Sequence, residues 1–289
     1  MTQPFKLAIQ EDMLPGPALA DRFAQAASLG FKGIEFWSET LPAQEREISQ
    51  LLGKQGVVAA SINNGRRSRF LDPDPSERSR ALAELVEAIQ IAGRIGAAGV
   101  VFVPHFFEPL LPDLSPWMSA VDLERGLLQA QLAGLAEQAE RAGVQLWVEP
   151  VNRYETHLLN RLDQAASLIE PLGHARLGIV ADVFHMALDE ADPAEAIRQH
   201  AAAVGHVHLA DSNRRLPGQG STDFAAILAA LEAIEYPGWL AYECGEPGQN
   251  HRRAEQYLRE LPASLKLFQR QPAPPAPPAP PAGPAAGGS

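Results

Sequence analysis

Eight short apolar runs recur along this chain, separated by longer stretches with helical spacing, and this rhythm constrains the fold more than any other feature. The runs cover residues 6–10, 33–37, 57–62, 100–103, 144–148, 177–181, 205–209 and 239–242. They are rich in β-branched and aromatic residues, as buried strands are. Helical patterns cover 18–29, 45–54, 77–95, 122–142, 162–172, 193–203, 224–234 and 251–268. Gly30, Gly56, Gly96, Gly143 and Gly173 stand where helices should stop, because glycine takes the left-handed backbone that closes a helix. Pro193 opens another helix behind Asp192 as its N-cap.

Eight strands alternating with eight helices, at roughly 30 residues per unit, predict an α/β fold, a single (β/α)8 TIM barrel. A doubly wound open sheet is the rival. It should carry a glycine-rich dinucleotide fingerprint after the first strand, and QEDMLPGPALAD has none.

With 289 residues, 46% of them apolar, the chain can bury one large core. We expect one domain over residues 1–270. Residues 271–289 read QPAPPAPPAPPAGPAAGGS, a Pro/Ala-rich tail without charge or aromatics, expected to be disordered with polyproline character. A net charge of −11 argues against nucleic-acid and anionic-membrane partners, which need a concentrated positive field. Cys244 is the single cysteine, so no intramolecular disulfide can form, which fits a reducing compartment. The opening MTQPFKLAIQ has no signal-peptide pattern, and no apolar run approaches the roughly 20 residues that span a bilayer. The expected location is the cytoplasm.

In such a barrel the reactive side chains stand at the C-terminal ends of strands. Glu149 ends the fifth run in VQLWVEP, Asp182 the sixth in GIVADVFHM, His208 the seventh in GHVHLAD, and Glu243 the eighth in WLAYECG. They are 33, 26 and 35 residues apart, near one strand–helix unit each. One glutamate after a strand is ordinarily a solvated loop residue. Three carboxylates and one imidazole at a single mouth would repel without a cation, and this mostly oxygen donor set suits Mn²⁺, Mg²⁺ or Co²⁺.

The segments EPVNRYET, ADVFHM, HVHLADSNRRLPGQG and YEC resemble the xylose-isomerase-like barrels of the sugar isomerase/epimerase group. They are most similar to the D-tagatose and D-psicose type ketose 3-epimerases and to 5-keto-gluconate epimerases. The resemblance is strong over residues 144–244 and architectural before that. It implies that Glu149, Asp182, His208 and Glu243 hold a divalent metal, with Mn²⁺ expected and Mg²⁺, Co²⁺ or Zn²⁺ acceptable. It further implies that Glu149 and Glu243 are the catalytic acid/base pair, that Glu155, His185 and Arg214 contact substrate oxygens, and that the chain forms a homodimer or homotetramer.

The chemistry fits these residues. Inverting a carbon beside a carbonyl needs one base to remove a proton and an acid on the opposite face to return one. A metal ion stabilises the intervening cis-enediolate. The expected function is therefore metal-dependent epimerisation of a keto-sugar or keto-sugar acid. The nearest alternative is an aldose–ketose isomerase of the hydroxypyruvate or xylose type, and an inosose dehydratase is a third. An apurinic-site endonuclease would need further histidines, but NNG follows the third strand and Asp211-Ser-Asn the seventh. A sugar-binding barrel without catalysis would not need Glu149 and Glu243 as opposed bases.

Weaker signals flank this set. Asp211 and Asn213 are expected to shape the loop that carries Arg214. His206 shares a face with His208 and is expected to pack deeper in the barrel. Trp37 and His105 are candidates to line the pocket, and Phe106, Phe107 and Trp117 to cover it. Arg66, Arg67 and Arg69 form a basic run that is ordinarily just solvated. Cys244 is expected to be a small buried residue in the barrel wall.

Overall fold

In each strand the side chains alternate between two buried faces, so both faces of the sheet must be covered. The computed structural model meets this by closing the sheet; it describes residues 5–65, 69–246 and 249–268. The strands β1 (Lys6–Gln10), β2 (Gly33–Trp37), β3 (Val58–Asn64), β4 (Gly99–Phe102), β5 (Gln145–Val148), β6 (Leu177–Asp182), β7 (Val204–Leu209) and β8 (Trp239–Tyr242) pair in parallel, in sequence order, and β8 returns to β1. The expected (β/α)8 TIM barrel is therefore present. The tail after residue 270, Arg66 and Arg67 lie outside the described residues.

The outer layer comprises α1 (Leu19–Leu29), α2 (Leu41–Leu51), α3 (Pro75–Ile95), α4 (Ala120–Ala142), α5 (Leu162–Ile169), α6 (Val183–Asp189), α7 (Pro193–Gln199), α8 (Phe224–Ala233) and α9 (Ala254–Ser264). The main apolar core fills the gap between helices and barrel, where Ile34, Phe36, Leu146, Val148 and Leu240 point outward onto helical side chains such as Leu85 and Leu132. Each fully buried residue of this kind contributes about 1.5–3 kcal/mol. Asp192 caps α7, its side chain accepting from the Glu195 N–H at 3.0 Å. Gly96 and Gly143 close α3 and α4 at φ of 72° and 73°. Gly56 also has a positive φ but sits in the turn beyond α2, which ends at Leu51 rather than at residue 54.

One helix has no counterpart in the sequence pattern. α6 follows β6 with no loop, and Asp182 is at once the last strand residue and the N-cap, accepting from the His185 N–H at 2.9 Å. It is seven residues long and lacks the Asp–Pro boundary that marks α7, so neither periodicity nor a start signal reveals it.

Two register shifts shape the barrel interior. Between β2 and β3 the pairing passes from Ile34↔Ala59 to Glu35↔Ser61, so Ala60 and Ser61 both face inward. Between β6 and β7 it passes from Ile179↔Val204 to Val180↔His206, leaving Gly205 as the extra residue. Gly205 lies against the Trp147 indole, which stacks on the His206 ring at 4.8 Å and 15°. A Cβ at Gly205 would overlap that indole, whereas a Cβ at Gly134, on α4, meets open space. Gly205→Ala should therefore destabilise the protein by about 1–3 kcal/mol through overpacking. Gly134→Ala should stabilise it by up to about 1 kcal/mol through helix propensity. Urea unfolding of both variants checks this, and the same sign for both would refute it.

Candidate active site

The four strand-end residues meet at the C-terminal mouth. Inward alternation on β5, β6, β7 and β8 brings Glu149, Asp182, His208 and Glu243 together, all buried, with one ligand atom of each within 4.8 Å of the others. His208 Nδ1 lies 2.8 Å from Glu243 Oε2, 3.1 Å from Glu149 Oε1 and 3.5 Å from Asp182 Oδ2.

The electrostatics follow from that crowding. Burial pushes the Glu149 carboxyl up to about 8, with Glu243 and Asp182 adding to the rise against the pull of His208. Burial disfavours a charged His208, yet Glu243, Glu35 and Glu149 outweigh it and hold the ring protonated far above the ordinary histidine range. Burial also opposes ionisation of Asp182, but the His208 ring and the His185 N–H hold it well below the usual carboxylate range. One imidazole nitrogen facing three carboxylates is a donor set of three hard oxygens and one nitrogen, which fits a divalent cation in place of that proton.

A cavity of about 480 Å³ opens above these groups. Trp37, Phe106, Phe184, His185 and Arg214 line it beside Glu149 and Glu243, so Trp37 lines the site as expected and Phe106, expected to cover it, lines it too. The three expected substrate contacts are here as well. His185 Nδ1 accepts from the Asn152 N–H at 3.0 Å, which leaves its proton on Nε2. Burial, and after it the Arg214 charge, pulls the His185 pKa down against the pull of Asp182. Arg214 Nη1 donates to Glu155 Oε1 at 3.0 Å, and its guanidinium lies 4.8 Å from the Phe184 ring centroid. A larger cavity of about 750 Å³ lies alongside and takes in Arg69 and His105. It holds none of the four convergent residues, so the smaller one is the candidate site. Arg69 pairs with Asp72 at 2.7 Å. Phe107 and Trp117 are exposed and do not line the candidate site.

Sequence reasoning missed Glu35, Gln10, Ser61 and Asn63. Glu35 is fully buried inside the barrel, and Ser61 Oγ donates to it at 2.6 Å. Gln10 Nε2 donates to Glu35 at 3.0 Å and to Glu243 Oε1 at 2.8 Å, and Asn63 Nδ2 donates to the same Glu243 oxygen at 3.1 Å. The signal was a lone carboxylate inside the apolar strand GIEFW. Asn63 was hidden because β3 runs to Asn64, past the expected end at residue 62. His206 sits deeper than His208, fully buried, with Nε2 3.0 Å from Glu35 Oε2. Cys244 is buried in the wall, its thiol donating to Leu209 O at 3.4 Å.

Residues 23–266 match the xylose isomerase-like TIM barrel family. The chain belongs to that family. It is 27% identical over 260 residues to 3-dehydro-D-guloside 4-epimerase of Escherichia coli K12, covering 88% of this chain and 99% of that one. It is 34% identical over 225 residues to L-ribulose 3-epimerase of Mesorhizobium japonicum, covering 76% and 73%. Among solved structures it is similar to 3-keto-D-glucoside 4-epimerase from E. coli, at a TM-score of 0.76 and 26% identity, covering 88% and 99%.

The loop after β7 in this family member is organised by Asp211. Its carboxylate accepts from the N–H groups of Ser212, Gly218 and Thr222 at 2.8, 2.9 and 3.1 Å. That frame holds Arg214 at a φ of 59°, a left-handed geometry costly for a side chain with a Cβ, and its N–H donates to Asp211 O at 2.7 Å. Asp211→Ala leaves the Gly218 and Thr222 amides without their side-chain acceptor. Hydrogen exchange at Gly218 and Thr222 should accelerate, and unfolding free energy should fall by about 1–3 kcal/mol. Unchanged protection of both amides would show that another group frames the loop.

Proposed function

We propose that this protein is a divalent-metal-dependent epimerase of a keto-sugar or keto-sugar acid, with Glu149 and Glu243 as its acid/base pair. The convergence of Glu149, Asp182, His208 and Glu243 at one barrel mouth carries the reading. The relatives support the class, since a 4-epimerase of a 3-dehydro sugar and a 3-epimerase of a ketose both invert a carbon next to a carbonyl.

The two glutamates enter from β5 and β8, three strands apart around an eight-stranded barrel, and so reach a bound substrate from different sides. One takes the proton from the carbon beside the carbonyl, and the other delivers a proton to the opposite face. Which acts first depends on the epimer bound. A bound divalent ion, for which we favour Mn²⁺, supplies positive charge for the enediolate oxygens. His185 Nε2–H donates to a substrate oxygen, and the Arg214–Glu155 pair binds hydroxyls at the rim. Phe184 and Trp37 offer apolar faces to the sugar and keep water from the reacting carbon.

We also propose a homodimer or homotetramer in the cytoplasm. The exposed Phe107, Leu110, Leu114, Trp117 and Tyr154, on the segments after β4 and β5, support self-association. Among the described residues no helix is long and apolar enough to cross a membrane.

The test is exchange in D₂O, followed by NMR, with metal-stripped protein with and without Mn²⁺ against ketoses, keto-glycosides and keto-sugar acids. Metal-dependent deuterium at the inverted carbon is expected, and Glu149→Gln and Glu243→Gln should each lose at least about 10²-fold in rate. Exchange without inversion, together with aldose product, would instead support aldose–ketose isomerisation.

A proton dependence follows from Glu149, which keeps its proton up to about 8. The cation must displace that proton and the one on His208. Affinity for Mn²⁺ should therefore rise from about pH 6 to about pH 8, with proton release. Calorimetry in buffers of different ionisation enthalpy measures both, and affinity independent of pH would contradict the shared ligand set.

A further inference from the structure

Glu35 has no place in the acid/base chemistry, yet it is a carboxylate fully buried at the barrel centre. Its oxygens gather polar atoms from three other strands. Gln10 Nε2 of β1 lies 3.0 Å from Oε1, and Ser61 Oγ of β3 lies 2.6 Å from Oε2. His206 Nε2 and His208 Nε2, both of β7, lie 3.0 and 3.3 Å from Oε2. Glu35 itself comes from β2. An ionised carboxylate only accepts hydrogen bonds, so each atom facing it must carry a hydrogen.

That requirement fixes the His208 ring. Nε2 then keeps its hydrogen, and it is Nδ1, facing the oxygens of Glu149, Asp182 and Glu243, that would exchange its proton for a cation. Gln10 extends the same control, because one amide nitrogen donates both to Glu35 and to Glu243 Oε1. Asn63 holds that oxygen too, which leaves Glu243 Oε2 as the atom facing His208 Nδ1 at 2.8 Å.

We propose that Glu35 is a positioning residue that locks His208 in the Nε2–H tautomer and so presents Nδ1 as a preformed metal ligand. The inference rests on the metal-dependent reading above. A carboxylate behind a ligating histidine fixes ring orientation and raises ligand basicity, and losing it costs about 10–100-fold in metal affinity. Ser61 and His206 hold Glu35 in turn. The adjoining register shift between β2 and β3 places Ser61 opposite it.

Two measurements test this. The first is histidine ¹⁵N NMR on the Zn²⁺-loaded wild-type protein, which needs no substitution. It should show His208 with a protonated Nε2 and a metal-bound Nδ1. A protonated Nδ1 with metal on Nε2 would overturn the proposal. The second is Zn²⁺ affinity of Glu35→Gln by chelator competition, with circular dichroism to confirm the fold. Affinity should fall about 10–100-fold, and affinity within about twofold of wild type in a folded variant would overturn the proposal. If Glu35→Gln does not fold, the wild-type spectrum alone decides. Wild-type protein that binds no divalent ion would instead remove the metal-dependent reading, and this inference with it, so the two failures are distinguishable.

Discussion

The contact between one imidazole and four carboxylates is the constraint on which the rest of this structure depends. His208 has Glu149, Asp182 and Glu243 around one ring nitrogen and Glu35 at the other. Charges this close, away from water, are costly unless each is compensated. The barrel supplies the compensation. Gln10 and Asn63 donate to Glu243, Ser61 and His206 to Glu35, and the His185 N–H to Asp182. The compensation is partial, since Gln10 Oε1, Asn63 Oδ1 and His206 Nδ1 are buried without a hydrogen-bond partner among the described residues, but the bonds that are made rigidify their members and leave little freedom to substitute any one of them.

Such a centre contributes little to stability, which must come from elsewhere. It comes from the apolar shell between barrel and helices, where outward-facing residues of every strand join one continuous core. Deeper in the barrel, Trp147 packs with Val101 and Val180 and stacks on His206. The polar layer is therefore held between an apolar floor and the open mouth. The division suits the fold: one end of the barrel can be spent on chemistry because the outer shell does the folding.

The rim is built by loops that brace each other. Glu124 on α4 is fully buried, and its carboxylate accepts from the N–H groups of Leu110 and Leu111 at 2.8 and 3.2 Å. Its other oxygen lies 2.6 Å from His157 Nε2, while His157 Nδ1 reaches Phe107 O at 2.7 Å. The segment after β4, which brings Phe106 to the cavity, is thus pinned to the segment after β5, which brings Glu155. On the far side the Asp211 frame fixes Arg214 beside Glu155. Both walls of the pocket end on the same glutamate.

The sequence by itself determined the architecture and the four convergent residues. Eight apolar runs with helical spacing between them admit few closed arrangements, and a strand's period of two already says which residue at its end faces inward. Glu149, Asp182, His208 and Glu243 were legible because each closes the C-terminal end of an apolar run, where a barrel places its reactive side chains. Glu155, His185 and Arg214 were legible through resemblance. Only the tertiary structure decided the layer behind them. Gln10, Glu35, Ser61 and Asn63 come from β1, β2 and β3, far from His208 in sequence. Their roles exist only once the barrel closes and the register shift between β2 and β3 turns Ser61 inward opposite Glu35. The short α6, which aims His185, and the Glu124–His157 brace were hidden for the same reason. Local pattern reports how a segment meets water, whereas hydrogen bonds between distant strands depend on closure, which no single segment encodes.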